Sequence, residues 1–113
     1  MKIAIATNKK GSLKDEVAPH FGQAKNYLIY DTQTKTFDVY PNPEVTGGKL
    51  LPPDFLNQKG VKVVIAFSLG FKAYEKFKNY GIGMYKAIEK NISENINAFE
   101  HSQLRQLREE DIF

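Results

Sequence analysis

The sequence predicts an α/β fold built on one mixed five-stranded sheet, ordered 3-2-1-4-5, with helices on both faces. Three observations carry this. The first 40 residues hold three strand-like runs without a helical pattern between them, and the remainder alternates strand and helix. The run Val61-Lys-Val-Val-Ile-Ala-Phe67 is β-branched and almost continuously apolar, as suits a strand covered on both faces. At 113 residues, 42% hydrophobic and 26% charged, the chain has the composition of one core and one domain.

Each element has a local reason. Lys2 to Thr7 is a short Ile/Ala run that stops at the polar Asn8-Lys9-Lys10-Gly11 turn, and so reads as the first strand. Asn26–Asp31 and Thr36–Tyr40 flank a polar loop and should pair antiparallel, the second of them ended by Pro41-Asn42-Pro43. Residues 44 to 52 carry Gly47-Gly48 and lead to a short helix over Asp54–Lys59, with Pro53 at its first position and Gly60 at its stop. Val61–Phe67 is the central strand. Ser68 is the expected N-cap of a helix over Leu69–Asn79, with Ala73, Tyr74 and Phe77 facing inward and Gly81 ending it. Ile82–Lys86 then supplies a parallel strand through a right-handed crossover. Asn91 followed by Glu94 resembles a capping box, and Ile92, Ile96 and Phe99 give one face of a helix over 92–100. Leu104 and Leu107 fall out of phase with that face. Residues 101–113 are therefore expected to be a charged extension of a 1–100 domain, with 101–111 either a second short helix or a loosely held tail.

Composition removes several chemistries. With no cysteine, disulfides, thiolate metal sites, thiolate-held clusters and cysteine nucleophiles are all excluded, and a metal can be reached only through His, carboxylate, backbone or Met. Met1–Thr7 is too short for a signal h-region, and no apolar run approaches the roughly 20 residues of a membrane span, so a cytoplasmic chain without membrane contact is expected. The net charge of +3 divides unevenly: residues 1–90 carry +6 and residues 91–113 carry −3. A basic body favours anionic ligands, whereas scattered lysines and aromatics without a stacking pattern argue against nucleic acid.

In such sheets a crevice forms beyond the carboxyl ends of parallel neighbours whose connections diverge, here strands 1 and 4, bringing Thr7–Gly11 beside Phe67–Gly70. The helix start at Ser68 and Gly70 offers free backbone N–H groups to an anion, faced by Asn8 and Lys9, with Lys14, Lys25 and Lys49 in neighbouring loops. Gly47-Gly48-Lys49 lacks the phosphate-loop spacing and has Leu50 in place of the hydroxyl, so it reads as a flexible pair beside the pocket or a simple turn. The sheet order resembles ribonuclease-H-like folds, but the first strand carries no Asp or Glu, which speaks against a metal-dependent nuclease. His101 lies in the charged tail, and no base and nucleophile pair can be named, so enzymatic roles, including one on small phosphorylated compounds, are the weakest. His20, between Pro19 and Phe21-Gly22, is the leading metal-ligand candidate; the same rigid setting also suits simple packing.

Taken together, Lys2–Thr7, His20-Phe21-Gly22, Tyr27–Asp31, Asn42-Pro43, Gly47-Gly48, Gly60–Ala66, Gly70 and Gly81-Ile82 resemble, in order and spacing, the dinitrogenase iron-molybdenum cofactor biosynthesis family, the NifX-like domain also found at the end of NifB. The resemblance covers about residues 1 to 100. It implies a ribonuclease-H-like three-layer fold and a small non-catalytic carrier of iron-molybdenum cofactor or its iron-sulfur precursor, with His20 contacting the cluster and a partner protein in cofactor assembly. The chain departs from the family pattern at Lys49–Pro53, where small residues and a fuller helix are usual, and at Phe67, where a glycine is usual; both changes are expected to narrow the pocket. The alternative is an interaction or regulatory module of the same fold binding another small anion, docking a partner or a second copy through its tail and Tyr74, Tyr80 and Tyr85.

Overall fold

Alternation along the central strands decides which side chains fill which layer. The computed structural model describes residues 1–45 and 47–113; Thr46, inside the 44–52 segment, lies outside the described residues. Strands β1 (Lys2–Thr7), β2 (Asn26–Asp31), β3 (Thr36–Pro41), β4 (Val61–Ala66) and β5 (Gly83–Lys86) form one sheet in the order β3-β2-β1-β4-β5. The β1–β2 and β2–β3 pairs are antiparallel, and β1–β4 and β4–β5 are parallel. Ala4 and Ala6 of β1 with Val64 and Ala66 of β4 face one helical layer, and Ile3, Ile5, Val63 and Ile65 face the other. The expected fold class and strand order are both present.

Helices α1 (Pro52–Gln58) and α2 (Phe71–Tyr80) cover the first face through Leu56 and Phe77, both fully buried. Burying a side chain of that size stabilises by roughly 1.5–3 kcal/mol. Tyr80 donates to the Asp54 carboxylate, and Lys76 pairs with it at 3.0 Å, so α1 and α2 are clasped. Helix α3 (Ile92–Glu100) covers the second face with Ile92 and Ile96, and the Asn91 side chain accepts from the Glu94 N–H at 2.8 Å, the predicted cap.

Two helix starts differ from expectation. α1 begins at Pro52 rather than Asp54, because both prolines fit a first turn whose amides need no intrahelical partner. α2 begins at Phe71 with Gly70 as N-cap, and Ser68 does not cap it. The cause is distant in sequence: Leu69 is drawn into an extended bridge with Ile112, which holds Ser68–Gly70 out of the helix. Gly81 closes α2 in the left-handed region at φ 73°, as predicted.

Residues 101–113 are neither a second helix of any length nor a loose tail. The Lys86 N–H donates to Arg105 and the Leu107 N–H to Met84, so the segment lines the outer edge of β5, and a single 3-10 turn at Glu109–Asp111 returns it to the β4–α2 connection. Leu104 and Asp111 are buried.

Candidate functional site

A turn pinned from below presents His20. Phe21 is the pin: its ring is 3% exposed, 5.0 Å from Tyr27 and 5.9 Å from Phe77, between β2 and α2. Phe21 opens a 3-10 turn through Gln23, which rotates His20 outward on extended backbone. The turn is tied from a second side by Asn42, wholly buried at the end of β3, whose amide lies 3.0 Å from the Gly22 carbonyl and 2.9 Å from that of Ala24. The Tyr27 hydroxyl donates to the Phe21 carbonyl at 2.8 Å. Burial, and then the Glu44 charge, push the Tyr27 phenol well above its ordinary pKa, so it remains a donor.

The loop bearing this turn is joined to the end of β1 by the Ala18 N–H, which donates to Ala6 at 2.8 Å. Beyond the ends of β1 and β4 lies a cleft of about 600 Å³. His20, Phe21 and Gly22 form one wall, Ser68, Leu69 and Gly70 the other; Ala73 and Phe113 also line it, as does Glu44. A smaller, more apolar hollow of about 190 Å³ adjoins it, sharing Phe21, Gly22, Glu44 and Ala73 and adding Leu51, Pro52, Pro53, Lys72 and Lys76. Lys76 is occupied by Asp54, which leaves Lys72, among the described residues, as the hollow's uncommitted cation. The His20 imidazole is exposed and makes no hydrogen bond among the described residues.

The structure therefore gathers His20, Phe21, Gly22, Ser68 and Gly70 of the expected residues, and leaves the others elsewhere. Asn8 accepts from the Lys25 N–H, and the Lys9 carbonyl accepts from Asn26, so their loop folds against the start of β2 and does not line the cleft. Gly47 and Gly48 are also off the lining. They close a tight turn on Glu44 and Pro43, where a Cβ at Gly48 would sit 2.8 Å from the Pro43 carbonyl. Phe67 does not narrow the pocket floor, since strand alternation turns it to the α3 face with Val63 and Ile65. Lys49–Pro53 does border the site, through Leu51, Pro52 and Pro53. Tyr74, Tyr80 and Tyr85 make no common surface: Tyr85 packs edge-to-face with Phe99 in the α3 layer, Tyr80 is bonded to Asp54, and Tyr74 lines a hollow beside Gly81 and Leu107.

Asn42, Glu44 and Phe113 were not identified by sequence reasoning as site residues. Asn42 before proline carried a local signal as a strand-ending polar residue; nothing local marks Phe113.

Residues 1–102 match the protein-family model described as dinitrogenase iron-molybdenum cofactor. The Methanocaldococcus jannaschii protein MJ0580, itself uncharacterized, is 28% identical over 110 residues, covering 92% of this chain and 89% of that protein. Among solved structures, the apo form of the orange protein from Desulfovibrio gigas superposes with a TM-score of 0.83 over 94% of this chain and 92% of its own, at 21% identity, a likeness of fold. A Thermotoga protein described as a candidate NifB superposes at 0.78 with 28% identity, covering 96% of this chain and 97% of its own.

Proposed function

The chain belongs to the dinitrogenase iron-molybdenum cofactor family, and on that premise we propose that it is a small, non-catalytic cytoplasmic carrier of an anionic metal-sulfur cofactor, of iron-molybdenum or precursor iron-sulfur type, with His20 as its contact to the cluster. The observation that carries this reading is the convergence, on one open cleft, of an unengaged imidazole with the backbone of the β4–α2 turn.

The cargo's chemistry fits the residues present. A bare ion needs a closed set of side-chain ligands, commonly about four for zinc. No group of three or more His, Asp or Glu among the described residues could hold one. A preformed cluster brings its own sulfides, so a single imidazole and shape suffice. The cleft's apolar lining at Phe21, Leu69 and Ala73 suits a soft sulfide surface, and Lys72 supplies nearby positive charge. Glu44, on the rim of the same cleft, opposes an anion.

Anaerobic protein mixed with isolated iron-molybdenum cofactor, or with tetrathiomolybdate as the simplest molybdenum-sulfur anion, then desalted, should retain the chromophore. Loss of a direct ligand should weaken binding by at least about tenfold, as loss of a supporting residue already does at metal sites. His20→Ala retaining as much colour as the unmodified chain would refute the assignment.

A further inference from the structure

One residue lining the cleft, Phe113, comes from outside the matched family region, which ends at residue 102. Residues 111–113 lie alongside the β4–α2 turn as an added strand. Leu69 and Ile112 form a parallel bridge, the Leu69 N–H donates to the Asp111 carbonyl at 3.1 Å, and the Phe113 N–H donates to the Leu69 carbonyl at 3.1 Å. The Phe71 N–H, first in α2, donates to the Phe113 carbonyl at 2.6 Å. That amide is one of those a helix start would offer to an anion, and here the chain itself takes it. The Phe113 ring lies over Gly70, 3.9 Å from where a Cβ would stand, and lines the cleft.

The segment is anchored unequally. Asp111 is 7% exposed; it accepts from Arg105 at 2.8 Å, from the Arg108 N–H at 2.8 Å and from Lys86 at 3.1 Å. Phe113, two residues on, is 75% exposed. Its ring contributes little burial, so the tip beyond the anchor rests on the backbone bonds to Leu69 and Phe71, each of small net worth in contact with water. Such a segment opens locally without global unfolding.

Resting on the carrier reading above, we propose that residues 111–113 are a displaceable strap over the cofactor cleft, and that strap and cargo compete for the β4–α2 turn. Asp111 keeps the base of the strap in place, its carbonyl still accepting from the Leu69 N–H, while the tip lifts, uncovering Gly70, the Leu69 carbonyl and the Phe71 amide. The strap thus covers the turn when no cargo is present and lowers apparent affinity by the fraction of time it is closed.

Two measurements test this. In the free chain, the Phe71 amide should exchange with deuterium roughly 100-fold faster than those of Ile5 and Val64 in the central strands. A chain ending after Asp111 should bind tetrathiomolybdate roughly tenfold more tightly than the full chain. Exchange at Phe71 as slow as at Ile5, or an affinity unchanged or weakened by the truncation, would overturn the strap. If His20→Ala abolishes binding in both backgrounds while truncation changes nothing, the carrier reading stands and the strap alone falls. Failure of both chains to bind contradicts the carrier reading and leaves the strap without a role.

Discussion

Asn42 does more for the site than any residue that touches the cleft. Its side chain joins the end of β3 to the His20 turn, and its carbonyl oxygen accepts from the Glu44 N–H at 3.0 Å, so one buried amide orients both the proposed ligand and the opposing charge. Asn42→Ala leaves buried carbonyls without their donor and should cost roughly 1–3 kcal/mol in urea unfolding. His20→Ala, at an exposed position, should stay within about 0.5 kcal/mol of the unmodified chain. The contrast separates a positioning residue from a ligand: Asn42→Ala loses stability and binding together, His20→Ala binding only. Glu44→Gln removes a rim charge that repels an anion and should tighten tetrathiomolybdate binding about threefold at low salt, an effect that shrinks as salt screens it. Unchanged or weaker binding by Glu44→Gln would mean that no anion comes near that rim.

Among the elements, the C-terminal segment behaves least like its sequence. Its charges looked solvated because five carboxylates and two arginines crowd residues 91–113, yet Asp111 is buried and paired. Arg105 foremost, then the Arg108 N–H and Lys86, hold the Asp111 carboxyl well below the usual carboxylate range. A depressed carboxylate pKa stabilises the fold in full above its unfolded value, near 4, and the contribution is lost as pH falls below that toward the folded value. Asp111→Asn should therefore be roughly 1–3 kcal/mol less stable at pH 7, with the difference narrowing only below about pH 4. A difference that instead vanished between pH 5 and 7 would show that another group carries the anchor. The same segment explains why α2 starts later than its sequence predicts. Ser68 has the side chain of an N-cap, but residues more than 40 positions away claim Leu69 for an extended pairing, and no local pattern records that.

At the scale of the whole molecule, strand order and layering were legible because they depend on periodicity. Val61–Ala66 is nearly continuous in apolar residues and sits centrally; α3 begins and ends as its cap and Ile92/Ile96 spacing require. Part of the site was legible in the same way. Phe67 follows Val63 and Ile65 by twos, so its place on the α3 face was available from alternation alone, against the expectation that it floors the pocket. What sequence could not supply was the path of the loops. Asn8 and Lys9 turn toward β2 through bonds to Lys25 and Asn26, and Phe113 reaches Gly70 only after the chain has run along β5. Sequence proximity to a strand end thus located the crevice, while long-range hydrogen bonds chose which loop residues line it. No described helix is long and apolar enough to cross a membrane.

The central claim is that one imidazole grips a preformed metal-sulfur cluster in this cleft. The most direct measurement is the two-dimensional NMR spectrum of the histidine ring during anaerobic titration with tetrathiomolybdate or isolated cofactor, His101 serving as the internal control at the end of α3. The account predicts that the His20 ring signals shift or broaden at stoichiometric ligand while those of His101 stay in place. Unmoved His20 signals in the presence of bound chromophore would contradict it.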